Sequence, residues 1–313
     1  MFEALETTPA REPRLVSLVS HHPQVIAAHR RSSLVMAAPG MLGLVLAPFY
    51  AWKVGITALD LVLFMAMYWL TLGVGLSVGF HRHFTHGSFQ TYRPIRWLMA
   101  ALGSMGAQGP LTYWVAVHRR HHEYGDVEGD PHSPHLSGSG FRAGLRGLWH
   151  AHYGWSLSYG MPNAAHYCPD LIREPVLMLI NRHYRKWVVA GLALPAVIGG
   201  LVTGTWSGAL GGLLWGGMLR LFLSSHMTWS LNSICHRFGS RPFRTPDHSA
   251  NNPWLALPTL GESWHNNHHA YPSSAAHGLC WWQVDLNYAF IWLLAKLRLA
   301  WQVKLPRLLH QQA

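Results

Sequence analysis

The chain has 313 residues, half of them hydrophobic and only 12% charged, with 16 Trp, a balance that excludes a disordered segment and argues against an ordinary cytosolic enzyme. The net charge of +11 comes mostly from Arg set between apolar runs rather than gathered into one stripe, which fits anionic lipid head groups better than nucleic acid. Three cysteines (Cys168, Cys235, Cys280) are too few for a disulfide framework and point to a reducing compartment, while 23 histidines stand against 13 carboxylates.

In chain order, Met1–Ser33 carries Arg11, Arg14, Arg30 and Arg31 without an apolar core or cleavage site, so it reads as a cytoplasmic segment and not a signal peptide. Leu34–Trp52 is uncharged and long enough to span the ~30 Å hydrocarbon layer. Val54–Phe80 is a second apolar stretch, interrupted only by Asp60. A polar, Arg- and His-rich region, His81–Lys186, follows. Residues 187–204 and 208–229 form a hairpin of two further spans around the turn Gly204-Thr-Trp-Ser-Gly208. Four spans place both termini and the middle region on one side, and the scarcity of basic residues in the outer connections makes that side cytoplasmic. Two weaker stretches, Ile95–Val117 (broken at Gly109-Pro110) and Leu279–Trp301, read as helices lying at the interface.

Four histidine clusters fall on the cytoplasmic side: His81-Arg-His-Phe-Thr-His86, His118-Arg-Arg-His121-His122, Asn232-Ser-Ile-Cys-His236 and His265-Asn-Asn-His268-His269. On a helix, positions i, i+3 and i+4 share a face, so each HxxHH aims three imidazoles at one point, and Asn232 and His236 likewise share a face. His81 and His86, five apart, point about 140° away from each other at the α-helical period, which suits two neighbouring metals or a helix end. The nine imidazoles (His81, His86, His118, His121, His122, His236, His265, His268, His269) exceed what one ion takes and imply two metals. A single HxxHH is often a surface feature; two of them with the other boxes on one side are not. His83, His132, His135, His150, His152, His166, His183, His226, His248 and His277 are expected at surfaces, interfaces or behind the ligands.

Seven Glu that do not supply the paired Glu and paired Glu-x-x-His of a carboxylate-bridged di-iron bundle exclude that class, and nine histidines are excessive for a zinc hydrolase. An all-nitrogen di-iron centre at a membrane surface, binding and reducing dioxygen, fits better. At this point the boxes, their order and the segment Gly261-Glu-Ser-Trp-His265-Asn-Asn-His268-His269 resemble the membrane fatty acid desaturases, specifically the stearoyl-CoA (Δ9-type acyl-CoA) desaturase family, in a bacterial-like member. The likeness runs from about Leu34 to Leu299. It implies an all-α integral membrane fold of four transmembrane helices under a cytosolic helical cap (residues 81–186 and 230–313), one domain over 34–313, in a bacterial inner membrane. It implies two Fe ions on the nine histidines, with Asn232 reaching one iron through water. It also implies O2 as co-substrate and a kinked acyl tunnel in which Gln108, Trp114, Thr228 and Trp229 lie near the bend. The reaction implied is insertion of a cis double bond into a saturated acyl chain.

Two segments depart from the animal members. Tyr113-Trp-Val-Ala-Val117 lacks the Arg and Asp that meet CoA there, and Ser156-Leu-Ser-Tyr-Gly-Met-Pro-Asn163 replaces a basic loop. CoA, acyl carrier protein and phospholipid thus all remain as carriers; Arg142, Arg146, Arg182, Arg185 and Lys186 would meet an anionic head group or lipid phosphates. No haem segment, cysteine cluster or dinucleotide fingerprint is visible, so a separate ferredoxin or cytochrome with its reductase is expected to supply electrons. A histidine-box lipid hydroxylase and a membrane metal transporter are the alternatives. The spans hold only Asp60 and Arg220 as charged groups, which speaks against a transport path.

Overall fold

The computed structural model describes residues 18–306, so Arg11, Arg14 and the tail beyond Pro306 lie outside the described residues. Helix α1 (Pro23–Val54) begins well before the expected Leu34. Pro23 sits in its first turn, where a missing N–H is harmless. The polar first turns stay helical because they are pinned from outside: Arg30 Nε donates to the Leu157 carbonyl (3.0 Å) and Ser33 Oγ to that of Ser156 (3.1 Å). Gly55, at φ +96°, ends α1 in a conformation that favours glycine.

Helix α2 (Ala58–Thr85) starts later than the expected Val54. Thr57 and Asp60 form a reciprocal capping box, so the one charge in the second apolar stretch is a start signal rather than an interruption. From Trp69 to Thr85 the helix widens to the π form with i→i+5 hydrogen bonds, a geometry that is usually confined to one turn and concentrated at functional sites. The Ile95–Val117 stretch divides at Gly109 (φ +106°) into α3 (Arg93–Ser104) and α4 (Leu111–Tyr124). Helix α3 packs on α2, with Gly75 against the backbone of Leu102 and Gly103.

Helix α5 (Phe141–Trp149) continues through a π turn to Ser158. Helix α6 (Tyr184–Thr203) turns at the left-handed Gly204 into α7 (206–233), whose middle, Leu213–Leu219, is again π-helical. The short α8 (His265–Ala270) and α9 (Leu286–Lys296) follow toward the C-terminus. Within Leu279–Trp301 only α9 is helical, and Asp285 caps it by accepting from Tyr288 N–H at 2.9 Å.

Among the described residues, three helices, Pro23–Val54, Ala58–Thr85 and Tyr184–Thr203, are long and apolar enough to cross a membrane. Their outer faces leave large apolar side chains uncovered, such as Val45, Val62 and Leu201, as a lipid-facing surface does. The expected fourth span, 208–229, is helical throughout but glycine-rich and carries Arg220.

Arg220 is fully buried with no carboxylate among its hydrogen-bond partners, and backbone carbonyls replace one. Pro195 has no N–H to give the Gly191 carbonyl one turn back, and Arg220 Nη2 fills that place at 2.7 Å. Nη1 donates to the Met105 carbonyl (2.9 Å) and Nε to that of Gly216 (3.0 Å). One guanidinium therefore ties α6, α7 and the end of α3 together. Arg220→Leu is expected to destabilise the protein by about 2–4 kcal/mol, because the orphaned carbonyls stay buried. Thermal unfolding in detergent checks this, with Arg220→Lys intermediate, since one ammonium cannot reproduce the fork.

Candidate metal centre

The histidines converge in two groups. His81, His86, His118, His122 and His268 bring ring nitrogens within 4.8 Å of one another; His121, His236, His265 and His269 do the same. Both HxxHH motifs split between the groups. His118 and His122, four apart on α4, face the first and His121 the second; on α8, His268 faces the first while His265 and His269 face the second. Each motif thus bridges the two groups instead of aiming three imidazoles at one point.

His81 and His86 do not diverge as the α-helical period requires. The His86 N–H bonds to the His81 carbonyl, an i→i+5 step, so five residues complete about one turn and both rings enter the same group, 4.9 Å apart. His236 also departs from expectation. Helix α7 stops at Ser233, and His236 reaches the second group from the turn beyond it, while Asn232 lines a cavity beside His118 and His265.

Carboxylates stand behind four of the nine rings. His236 Nδ1 donates to Asp126 (2.8 Å), His269 Nδ1 to Asp247 (2.7 Å), His121 Nδ1 to Asp130 (3.0 Å) and His81 Nδ1 to Glu262. Burial alone would raise these carboxyls, but the hydrogen bonds and charges of their partners outweigh it and hold all four below the usual range. An ionised carboxylate only accepts, so each Nδ1 carries the proton and each Nε2 of a neutral ring presents a lone pair. Burial first, and repulsion between neighbouring rings second, hold His86, His118, His122, His265 and His268 well below the usual imidazole range, which leaves them neutral, whereas Asp130 outweighs burial and raises His121. Burial lowers His269 to about 4.

The Nε2 atoms then meet without enough protons between them. His265 Nε2 lies 3.1 Å from those of both His236 and His269, and it can donate to one at most. In the first group, His268 Nε2 lies 3.1 Å from that of His81 and 3.0 Å from that of His122, and His118 Nε2 lies 3.1 Å from that of His122 and 3.2 Å from that of His86. His121 Nε2 is buried with no partner. Two imidazole nitrogens about 2.1 Å from a shared ion, at right angles to each other, lie about 3.0 Å apart. A cation in each group removes the lone-pair repulsion, so the residues fit two imidazole-bound metals.

Several contributors were not singled out in the sequence. Asp126, Asp130 and Asp247 orient ligands; Asp126 and Asp130 follow His122 by four and eight residues, a signal that spacing carries in a chain with so few carboxylates, whereas Asp247 lies eleven residues beyond His236. Glu262 is joined by Arg82, which is fully buried and donates to it through Nε (3.0 Å) and Nη2 (2.8 Å) while also pairing with Asp285 (2.9 Å). His277, expected at a surface or behind the ligands, is buried 4.5 Å from the His268 ring with both nitrogens unpartnered; His132 stands 4.4 Å from His121 beside Asp130. His83 stays outside both groups, held by the Phe89 carbonyl and Arg96. His152 and His226 pair with each other at 2.9 Å, also outside both groups.

A cavity of about 820 Å³ opens beside the exposed Arg182, Arg185 and Lys186 and runs inward to Gln108, Tyr113, Trp155 and Trp229. Those four also line a narrower space that reaches Trp114, His118, Thr228 and Asn232. The same inner residues, Trp114, His118, Thr228 and Asn232, border a further small space lined by Leu72, Leu76, Met227 and Leu231, with His81 and His265 in its wall. Gln108 Nε2 donates to Thr228 Oγ1 (3.0 Å), and Trp114 stacks on His118 (5.1 Å between centroids), so the four residues expected at a bend meet where the path passes the metal groups. Arg142 and Arg146 lie on α5 away from this mouth.

The family model for fatty acid desaturase matches residues 59–304. The chain is 49% identical over 267 residues (85% of it, 83% of the relative) to a hex-5-enoyl-[acyl-carrier protein] acetylenase of Moorena producens (strain JHB). It is 37% identical over 244 residues (77% and 82%) to an sn-1 stearoyl-lipid 9-desaturase of Anabaena variabilis, and 35% over 251 residues (79% and 74%) to an acyl-CoA C20 Delta5-desaturase of Anemone leveillei. With its family matched over most of its length, its apolar helices and its histidine groups, this chain belongs to the fatty acid desaturases and is an oxidoreductase that acts on fatty acyl chains.

Proposed function

We propose that the protein is a four-span membrane desaturase that holds two iron ions and inserts a cis double bond into a saturated acyl chain, using O2 and two external electrons. The observation that carries this reading is the convergence of lone-pair Nε2 atoms in two adjacent groups beside mostly apolar cavities that share lining residues. His81, His86, His118, His122 and His268 would hold one ion; His121, His236, His265 and His269 the other, with Asn232 acting through a water. When bound, the metal pair supplies oxygen activation, so that CH2–CH2, O2, two electrons and two protons become CH=CH and two waters.

The chain's own residues bind, orient and seal. Arg182, Arg185 and Lys186 receive an anionic carrier at the mouth, and the Gln108–Thr228 hydrogen bond with Trp114 and Trp229 fixes the path near the histidines. Leu72, Leu76, Met227 and Leu231 keep the inner end dry, which confines the oxidant to one methylene pair. In this arrangement residues 34–52, 58–80, 187–204 and 208–229 cross a bacterial inner membrane, and the histidine-bearing cap and both termini face the cytoplasm.

Relatives are named for acyl carrier protein, lipid and CoA substrates, and the one at 49% identity is named for the first. An acyl thioester on acyl carrier protein therefore heads the test panel, ahead of acyl-CoA and phospholipid, with a Δ9-type product among the positions scored. Purified full-length protein is given each saturated substrate with a ferredoxin, its reductase, NADPH and air. A product 2 Da lighter, formed with one O2 consumed per double bond, supports the proposal; a product 16 Da heavier makes the protein a hydroxylase.

Asp126→Asn and Asp130→Asn are expected to weaken the metal affinity of the second group by about 10–100-fold each, because the ring orientation and basicity they set are lost. Competition with a graded chelator series measures it, and unchanged affinity would deny these carboxylates their role.

A further inference from the structure

One surface lies directly outside the second histidine group and is cationic without internal compensation. Arg237, Arg241 and Arg244 are exposed, and none has a carboxylate partner among the described residues. They are joined through two histidines: Arg237 Nη1 lies 3.4 Å from His135 Nδ1, the His135 and His248 rings are 4.3 Å apart, and Arg241 Nη1 lies 3.4 Å from His248 Nδ1. Phe238, half exposed, supplies an apolar centre to this rim.

The patch is coupled to the metal ligands through single residues. His135 Nε2 donates to the His236 carbonyl at 2.7 Å. The His248 N–H donates at 2.8 Å to Asp126, the same carboxylate that holds His236. Arg241 donates to the carbonyl of Asp247, which holds His269. No residue of this surface lines the acyl path.

Resting on the desaturase reading, we infer that the surface around Arg237, Phe238, Arg241 and Arg244 is the docking site of a small acidic one-electron carrier protein. Charge complementarity selects an acidic partner and speeds its encounter. The position selects a redox partner, because one residue separates the surface from the imidazoles of His236 and His269. Each docked, reduced carrier gives up one electron and leaves oxidised, and two encounters supply the pair that one double bond consumes.

The test uses the full chain in zwitterionic nanodiscs with an acidic [2Fe–2S] ferredoxin as probe. Arg237→Glu with Arg244→Glu is chosen because neither side chain touches a ligand-holding carboxylate. At low salt the double variant is expected to bind ferredoxin about tenfold more weakly than wild type, a difference of about 1.4 kcal/mol, and the gap should close at high salt. Arg182→Glu with Lys186→Glu, a change at the acyl mouth, should leave ferredoxin affinity unaltered. Equal binding by the Arg237/Arg244 variant and wild type overturns the inference, as does a defect that appears only in nanodiscs of anionic lipid, which would make the patch a membrane contact. A single turnover, in which the protein is reduced by dithionite, freed of excess reductant and then given O2, separates the two layers: its absence in wild type sinks the desaturase reading, whereas ferredoxin affinity reports on the surface alone.

Discussion

His268→Ala is expected to remove desaturation altogether, by about 10³-fold or more, while the protein still folds. His268 is the hinge of the first group: its Nε2 lies 3.1 Å from that of His81 and 3.0 Å from that of His122, and it comes from a six-residue helix that also carries His265 and His269. Taking it away would leave the first group one imidazole short of its five. It also opens space beside His277, whose unpartnered ring lies 4.5 Å from His268. The loss belongs to chemistry rather than to folding, because the removed ring makes no bond to a scaffold carboxylate. Product assays beside thermal unfolding check this, and a variant with wild-type turnover would remove His268 from the site.

Glu262→Gln is the second large effect, and it is expected to damage both metal binding and stability. Glu262 accepts from His81 Nδ1, from Arg82 through two nitrogens and from Asn287 Nδ2 at 3.1 Å, all without access to water. An amide brings two donors into a pocket already filled with donors, and it leaves Arg82 with Asp285 as its remaining ionised partner. Breaking such a buried network costs about 3–5 kcal/mol, and disturbing the group behind His81 costs about 10–100-fold in metal affinity. Asp285→Asn is the informative comparison. It also weakens the Arg82 pairing and takes away an oxygen that accepts from the His277 and Gly278 N–H groups, but it leaves the His81–Glu262 bond in place, so stability should fall with little change in metal affinity.

The apolar helices were legible because hydropathy and length are properties of the chain itself. Their edges were less so: Asp60 looks like a flaw in an apolar run until its bond with Thr57 makes it a cap. The histidines could be identified from composition and spacing, but their partition between two groups could not. His81 and His86 diverge at the α-helical period and converge only because Trp69–Thr85 is a π-helix, and nothing in a 3.6-residue pattern announces that change. Arg220 stood out as a charge in an apolar segment. Its reason emerged only when Pro195, a quarter of a hundred residues away in sequence, was seen to leave the Gly191 carbonyl open. The carboxylates behind the rings were harder still, since Asp126 and His236 are 110 positions apart.

The account rests on two imidazole-built metal centres beside an acyl path, and elemental analysis of the purified full-length chain tests that most directly. Two irons per chain are predicted, with metal lost from both His268→Ala and His121→Ala, one substitution in each group. A single ion per chain, or zinc in place of iron with both variants fully loaded, would contradict it.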